Sequence, residues 1–118
     1  MKHLTLILTV CSLLFADTLI SVGEVAPGFF LRDTQNQNYF LSKHVGKKAK
    51  PALKSPQVLS FFASWCIPCR TEIPFLMDMQ DEFPDIKFML INVNEDKKTV
   101  AAYIQTMNIR IPVLLDLF

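Results

Sequence analysis

Histidine and cysteine are scarce in this chain of 118 residues, which contains two of the former and three of the latter. A Cys-x-x-Cys pair at Cys66 and Cys69 could supply half of a zinc site, but the remaining candidate ligands are Cys11, His3 and His44. Structural zinc is held by four such ligands at characteristic spacings, and no complete set remains. We therefore expect neither a metal nor another cofactor.

An excess of charge of either sign is also missing. Twelve Lys and Arg residues face eleven Asp and Glu residues, which gives a formal net charge of +1. Such a balance gives no support for nucleic-acid binding. Hydrophobic residues make up 51% of the chain and aromatic residues 11%, enough material for one packed domain and too much for a disordered or low-complexity chain.

The first residues have the features of a secretory signal peptide. Lys2 provides a basic start, an apolar run follows over residues 4–15, and a small residue precedes Asp17. We predict a signal peptide over residues 1–16 and an exported domain over residues 17–118. The alternative is an uncleaved membrane anchor, since the apolar stretch is almost long enough to span a bilayer if Asp17 is tolerated.

A strand and a helix are predicted to meet at the cysteine pair. Residues 58–62 are β-branched and aromatic with little alternation, which is typical of a strand buried on both faces. The next helix should begin at Cys66, where unpaired backbone N–H groups and the helix dipole favour a thiolate. Cys69 lies one turn further on the same face, where it can close a disulfide with Cys66. We interpret the pair as a redox-active dithiol.

Two neighbouring residues complete this motif. Pro68 suits the first helical turn, where its missing N–H costs nothing, and Trp65 can lie over the cysteines and limit access to them. An inert structural disulfide is the alternative to a redox site. A ring closed over so few residues constrains little of the unfolded chain, which favours the redox interpretation.

The rest of the chain predicts alternating strands and helices. We expect a β-hairpin turning at residues 36–38, a lysine-rich solvated loop over residues 42–56, a helix running to about Glu82 with a kink caused by Pro74, a strand over residues 86–93, a helix opening at residues 95–98 and a short strand over residues 111–115. This alternation is typical of an α/β domain with a parallel sheet.

Together these stretches resemble the TlpA-like branch of the thioredoxin superfamily. The similarity lies in residues 23–29, in residues 61–70 with their Trp-Cys-Ile-Pro-Cys motif, in Glu72-Ile73-Pro74, and in residues 111–116. It implies a thioredoxin-like fold and a periplasmic thiol-disulfide oxidoreductase that reduces protein disulfides. It also implies a membrane thiol carrier as electron donor and, as in several members, a role in cytochrome c maturation with apocytochrome c as substrate.

The resemblance assigns roles to individual residues. Cys66 would attack a substrate disulfide and Cys69 would resolve the mixed disulfide, while Trp65 and Pro68 would contact the substrate. Glu72 matches the buried acid of this branch and would hold a proton near the pair; the alternative is an ordinary surface glutamate. Ser60 stands where ordinary thioredoxins keep a buried aspartate, so that proton route is missing.

The end of the chain departs from the family pattern, in which a loop with a cis-proline faces the cysteines and is followed by a β-hairpin and a final helix. In one alignment Pro112 precedes that loop, and the loop, the last strands and the last helix are missing. In the other, Pro112 is itself the cis-proline. Both alignments predict an incomplete fold with an open strand edge.

The incomplete end leaves two further functions open. One is a non-catalytic remnant or binding module that keeps the motif without a substrate groove. The other is a peroxiredoxin-like peroxidase, which would share the Ala26-Pro27 start. Residues 60–66 do not offer the Pro-x-x-x-[Ser/Thr]-x-x-Cys setting that such an enzyme needs.

Overall fold

The computed structural model describes residues 20–117, so the predicted signal peptide and Phe118 lie outside the described part. Within these residues, five strands and two α-helices follow one another. They are β1 (Phe30–Asp33), β2 (Asn38–Phe40), β3 (Gln57–Phe62), α1 (Ile67–Glu82), β4 (Lys87–Val93), α2 (Lys97–Thr106) and β5 (Val113–Asp116), with a 3-10 turn at Leu41–Lys43. The predicted α/β class is confirmed.

The strands form one mixed sheet in the order β2-β1-β5-β4-β3. β3, β4 and β5 run parallel, and the β1–β2 hairpin joins the sheet antiparallel through β1 and β5. Because each parallel connection is a crossover of the same hand and in the same direction, both helices cover one face. That face holds the larger core, which includes Phe62, Ile73, Leu90, Val100 and Tyr103. The opposite face carries a smaller core around Tyr39, Leu41, Ile91 and Leu114.

Local signals explain the turns and helix ends. In the hairpin, Asp33 Oδ1 accepts the N–H groups of Gln35 and Gln37 at 2.8 Å, and Asn36 adopts a φ of 63°, which asparagine tolerates well. Asp96 caps α2 by accepting the Thr99 N–H at 3.0 Å, and Asn108 beyond its end has a φ of 50°. The predicted hairpin and second helix are thereby confirmed.

The first helix runs without interruption from Ile67 to Glu82, so Pro74 does not end it. Ile73 is fully buried, and Leu76, Met77 and Met79 pack beside it against the core. Within the described residues, neither helix is long and apolar enough to cross a membrane.

The prediction that residues 58–62 are buried on both faces is wrong. β3 lies at the edge of the sheet, where β4 is its sole partner among the described strands, and the Phe61 side chain is 60% exposed. Phe62, one residue on, points to the helix-covered face and is 3% exposed. An unbroken apolar run indicates that a segment favours a strand. It does not indicate how many strands lie beside that segment, because this number depends on the topology of the sheet.

Pro112 lies at the amino ends of the parallel strands, whereas the cysteines follow their carboxyl ends. Cys66 follows the carboxyl end of β3, whereas Pro112 precedes the amino end of β5, and the two strands run parallel through β4. The Pro112 carbonyl accepts the N–H of Leu90 at 2.9 Å, and the described residues contain no cis peptide bond. The alignment in which Pro112 is the cis-proline facing the cysteines therefore does not fit this structure.

Two residues of β4 provide a test of the core. Leu90 is completely buried, whereas Val93 on the same strand is 41% exposed. We expect Leu90→Ala to lower the free energy of unfolding by about 2–5 kcal/mol, because it removes buried methyl groups and leaves a cavity. The matched control Val93→Ala should cost about 1 kcal/mol or less. Urea denaturation measures both, and equal losses would contradict this core.

Candidate active site

The cysteine pair lies where β3 passes into α1. Cys66 is the N-cap residue of α1, with extended backbone angles, and Cys69 lies in the first turn. The two form a disulfide with their Cα atoms 5.4 Å apart, and the Cys69 N–H points at Cys66 Sγ over 3.3 Å. When the pair is reduced, this N–H and the helix dipole favour a thiolate at Cys66.

The two sulfur-bearing residues differ in access. Cys69 is 6% exposed and belongs to the core beneath α1, whereas Cys66 is only half-buried. An approaching disulfide or thiol therefore meets Cys66 first. A buried second cysteine one helical turn away is in place to displace whatever has bonded to Cys66.

An exposed rim surrounds the pair. Trp65 and Ile67 are each 76% exposed, and Pro68 is also exposed. The prediction that Trp65 limits access is not supported, because three-quarters of its surface faces solvent. An exposed Trp beside a reactive bond instead offers a large, rigid apolar surface to a polypeptide.

Glu72 is exposed, which corrects the expectation of a buried acid. Its Oε1 accepts a hydrogen bond from Ser60 Oγ at 3.0 Å, so the two residues that the resemblance singled out contact each other. The exposure has a topological cause. Ser60 belongs to β3, and no described strand pairs with β3 on the side away from β4.

Sequence reasoning missed Glu95, which contacts the junction before Cys66. Glu95 accepts hydrogen bonds from the backbone N–H of Ser64 at 2.8 Å, from Ser64 Oγ at 2.5 Å and from Asn92 Nδ2 at 2.6 Å. Burial alone would raise the pKa of the Glu95 carboxyl, but the hydrogen bonds from Ser64 and Asn92 hold this pKa below its ordinary value. The positions of the two residues could have indicated this contact, because Ser64 and Glu95 each follow the carboxyl end of one of two neighbouring parallel strands.

Two cavities of the described part lie away from the cysteines. One, of about 860 Å³, lies near Tyr39, His44 and Pro112, and another, of about 550 Å³, lies between Val25 and Leu59. Among the described residues, no three His, Cys, Asp or Glu side chains come together as a metal site would require. The half-buried Cys66 therefore lies on an open surface among exposed residues, an arrangement suited to large partners.

The sequence matches the AhpC/TSA family over residues 22–117. The chain belongs to this family. Thiol-disulfide oxidoreductase ResA of Bacillus subtilis (strain 168) is 31% identical over 99 residues, which cover 82% of this chain and 51% of ResA. Thioredoxin-like protein YneN of the same organism is 32% identical over 102 residues, covering 82% and 55%. The chain thus spans about half the length of the curated relatives it matches.

Solved structures agree with this relationship. A thiol:disulfide interchange protein of the thioredoxin family from Chlorobium tepidum TLS superimposes with a TM-score of 0.64 at 27% identity, over 83% of this chain and 63% of that one. The thioredoxin-like fold and the resemblance stated from the sequence are confirmed. The expected absence of a C-terminal hairpin and helix stays a prediction.

The difference in access predicts selective labelling. In the reduced chain we expect a limiting amount of iodoacetamide to modify Cys66 in preference to Cys69, because the former is only half-buried at a helix start and the latter is 6% exposed. Peptide mapping by mass spectrometry measures the ratio of labelled Cys66 to labelled Cys69. The Cys66→Ser variant is the control, because it keeps Cys69 and removes its partner. Equal labelling of the two thiols in native buffer would contradict the geometry.

Proposed function

We propose that this chain is an exported thiol-disulfide oxidoreductase that reduces protein disulfides through Cys66 and Cys69. The observation that carries the proposal is the pair itself, an accessible cysteine at the N-terminus of α1 bonded to a buried one in its first turn. The names of the relatives, thiol-disulfide oxidoreductase and thioredoxin-like protein, support the same class of reaction.

The reaction proceeds in two exchanges. The Cys66 thiolate attacks one sulfur of the substrate disulfide, the substrate S–S bond breaks, and the departing thiolate takes up a proton. The Cys69 thiolate then attacks Cys66 Sγ, which breaks the mixed disulfide and releases the second substrate thiol. Two electrons pass to the substrate, and the chain is left with the Cys66–Cys69 disulfide seen here. An external dithiol must reduce this disulfide before the next cycle.

The resemblance to the TlpA-like branch supports the partners. We propose a membrane thiol carrier as the electron donor and apocytochrome c as one candidate among protein substrates. The signal-like residues 1–16 support export to the periplasm with cleavage before Asp17. Outside the cytosol a dithiol stays oxidised unless a donor reduces it, so the proposed location and the proposed donor depend on each other.

The exposed rim supports a role in substrate contact. Trp65 and Pro68 flank Cys66 and project from the surface, so a polypeptide that presents its disulfide to Cys66 also meets these two side chains. Their apolar surfaces suit segments that are not yet folded, in which cysteines and their apolar neighbours are accessible.

Replacing each cysteine tests the two roles. We expect Cys66→Ser to abolish reduction of insulin disulfides and Cys69→Ser to accumulate mixed disulfides with the substrate, because the first attack remains and the resolving step is lost. Non-reducing electrophoresis with mass spectrometry detects the adduct.

The alternatives give different results in the same experiment. A wild-type chain that reduces no insulin and traps nothing as Cys69→Ser is a non-catalytic remnant or binding module. Peroxide consumption that depends on Cys66, without insulin reduction, would instead support the peroxidase alternative.

We also propose that Glu72 transfers protons for the pair. It lies one helical turn beyond Cys69, and Ser60 Oγ orients its carboxylate at 3.0 Å. We expect Glu72→Gln to slow insulin reduction by about tenfold or more, because an amide takes up no proton. The control Asp78→Asn removes an exposed carboxylate further along α1 and should leave the rate unchanged. Identical rates for wild-type and Glu72→Gln across pH would exclude the role.

A further inference from the structure

We propose that Glu95 is a positioning residue for thiol-disulfide exchange, which fixes the junction between β3 and α1 and thereby holds Cys66 in its reactive orientation. The inference deepens the function proposed above and rests on it. Among the described residues, the side chain of Glu95 accepts hydrogen bonds from Ser64 and Asn92 and acts on Cys66 only through them.

Both carboxylate oxygens of Glu95 act on Ser64. Oε2 accepts the Ser64 backbone N–H at 2.8 Å, and Oε1 accepts Ser64 Oγ at 2.5 Å. Two bonds from one carboxylate to the main chain and side chain of one residue fix its orientation as well as its position. We call this arrangement of Glu95 with Ser64 and Asn92 the carboxylate clamp.

The clamp acts on the turn that carries Cys66. The Cys66 N–H donates to the Ala63 carbonyl at 3.1 Å, which closes a turn over residues 63–66. Ala63 is 4% exposed and anchors the start of this turn in the core, while Ser64 inside the turn is held by Glu95. Because Trp65 alone separates Ser64 from Cys66, a shift of Ser64 changes where Cys66 Sγ points relative to the first turn of α1.

Asn92, in β4, is the third residue of the clamp. It is 1% exposed, and its Nδ2 donates to Glu95 Oε2 at 2.6 Å, whereas its Oδ1 has no hydrogen-bond partner within the described part. A buried amide with an unpaired oxygen lowers stability. A hydrophobic residue at this position could not bond to Glu95. We therefore infer that Asn92 serves to orient the Glu95 carboxylate.

The ionised carboxylate is the form that makes all three bonds. Ser64 N–H, Ser64 Oγ and Asn92 Nδ2 are donors, and an ionised carboxylate is an acceptor at both oxygens. Burial and, to a smaller extent, the Asp96 charge act to raise the pKa of the Glu95 carboxyl, but these bonds keep it below its ordinary value. Glutamine at this position can keep a contact with Ser64 Oγ, because a hydroxyl also accepts from an NH₂ group, but it loses the charge that strengthens all three bonds.

Three variants separate positioning from charge and from stability. Glu95→Gln removes the charge and weakens the clamp bonds, and Ser64→Ala removes one clamp bond and keeps the charge. Asp96→Asn is the matched control, because it removes the adjacent charge while its side-chain oxygen still accepts from Thr99 N–H. The readout is the rate at which iodoacetamide alkylates Cys66 in the reduced chain as a function of pH, with unfolding free energies measured in parallel.

We expect Glu95→Gln to slow alkylation of Cys66 at pH 7 by about tenfold and to raise the pH midpoint of the reaction, because a loosened turn misaligns the sulfur with the helix N–H groups. Ser64→Ala should shift both quantities in the same direction by a smaller amount. Asp96→Asn should stay within about twofold of the wild-type rate, as expected for an exposed surface change.

Several results would overturn the proposal. A faster reaction and a lower midpoint in Glu95→Gln, with Ser64→Ala unchanged, would show that Glu95 acts as a plain negative charge. A loss of unfolding free energy with unchanged rates would show a structural role alone. If Glu95→Gln fails to fold, an unchanged rate in Ser64→Ala overturns it. The alkylation rate needs no protein substrate, so a wild-type chain that reduces no insulin refutes the proposed function and not the clamp.

Discussion

Parallel pairing between β3 and β4 determines where this chain can do chemistry. Six residue pairs in register, from Gln57 with Lys87 to Phe62 with Asn92, bring the carboxyl ends of the two strands side by side. The turn before Cys66 leaves the sheet there, and so does the loop that contains Glu95. A one-residue slip would turn every side chain of β3 to the other face and separate Ser64 from Glu95. The redox pair, its exposed rim and the carboxylate clamp all depend on this register.

Local patterns were sufficient for much of the fold and for the cysteine pair. The hairpin turn near Asn36, the helix start at Cys66 and the cap at Asp96 are decided by residues that are close in the chain, so a sequence shows them. The edge position of β3 is different in kind, because it depends on which strands pair and in what order. An apolar run is compatible with one neighbouring strand or with two, and here it has one among the described strands.

The clamp escaped prediction for the same reason. Ser64 and Glu95 look like an ordinary loop serine and an ordinary acid before a helix, and their contact arises only when β3 and β4 pair. Trp65 and Glu72 show the reverse case: Trp65 was expected to cover the cysteines and the resemblance implied a buried Glu72, whereas both side chains are exposed. Residue type and spacing identify the reactive atoms. How those atoms are sheltered or held depends on contacts between distant parts of the chain.

The place of β1 in the sheet sets an order of events during synthesis. Arg32 pairs with Leu115 and Asp33 with Leu114, so the first strand of the described chain finds its partner in the last one. A chain made from its N-terminus presents the β1–β2 hairpin early, yet the hairpin has no edge to join until β5 has been made. Strands β3 and β4, with α1 between them, can pair as chain neighbours in the meantime. Among the described elements, the β1–β2 hairpin is thus made first but can join the sheet only after β5 has been made.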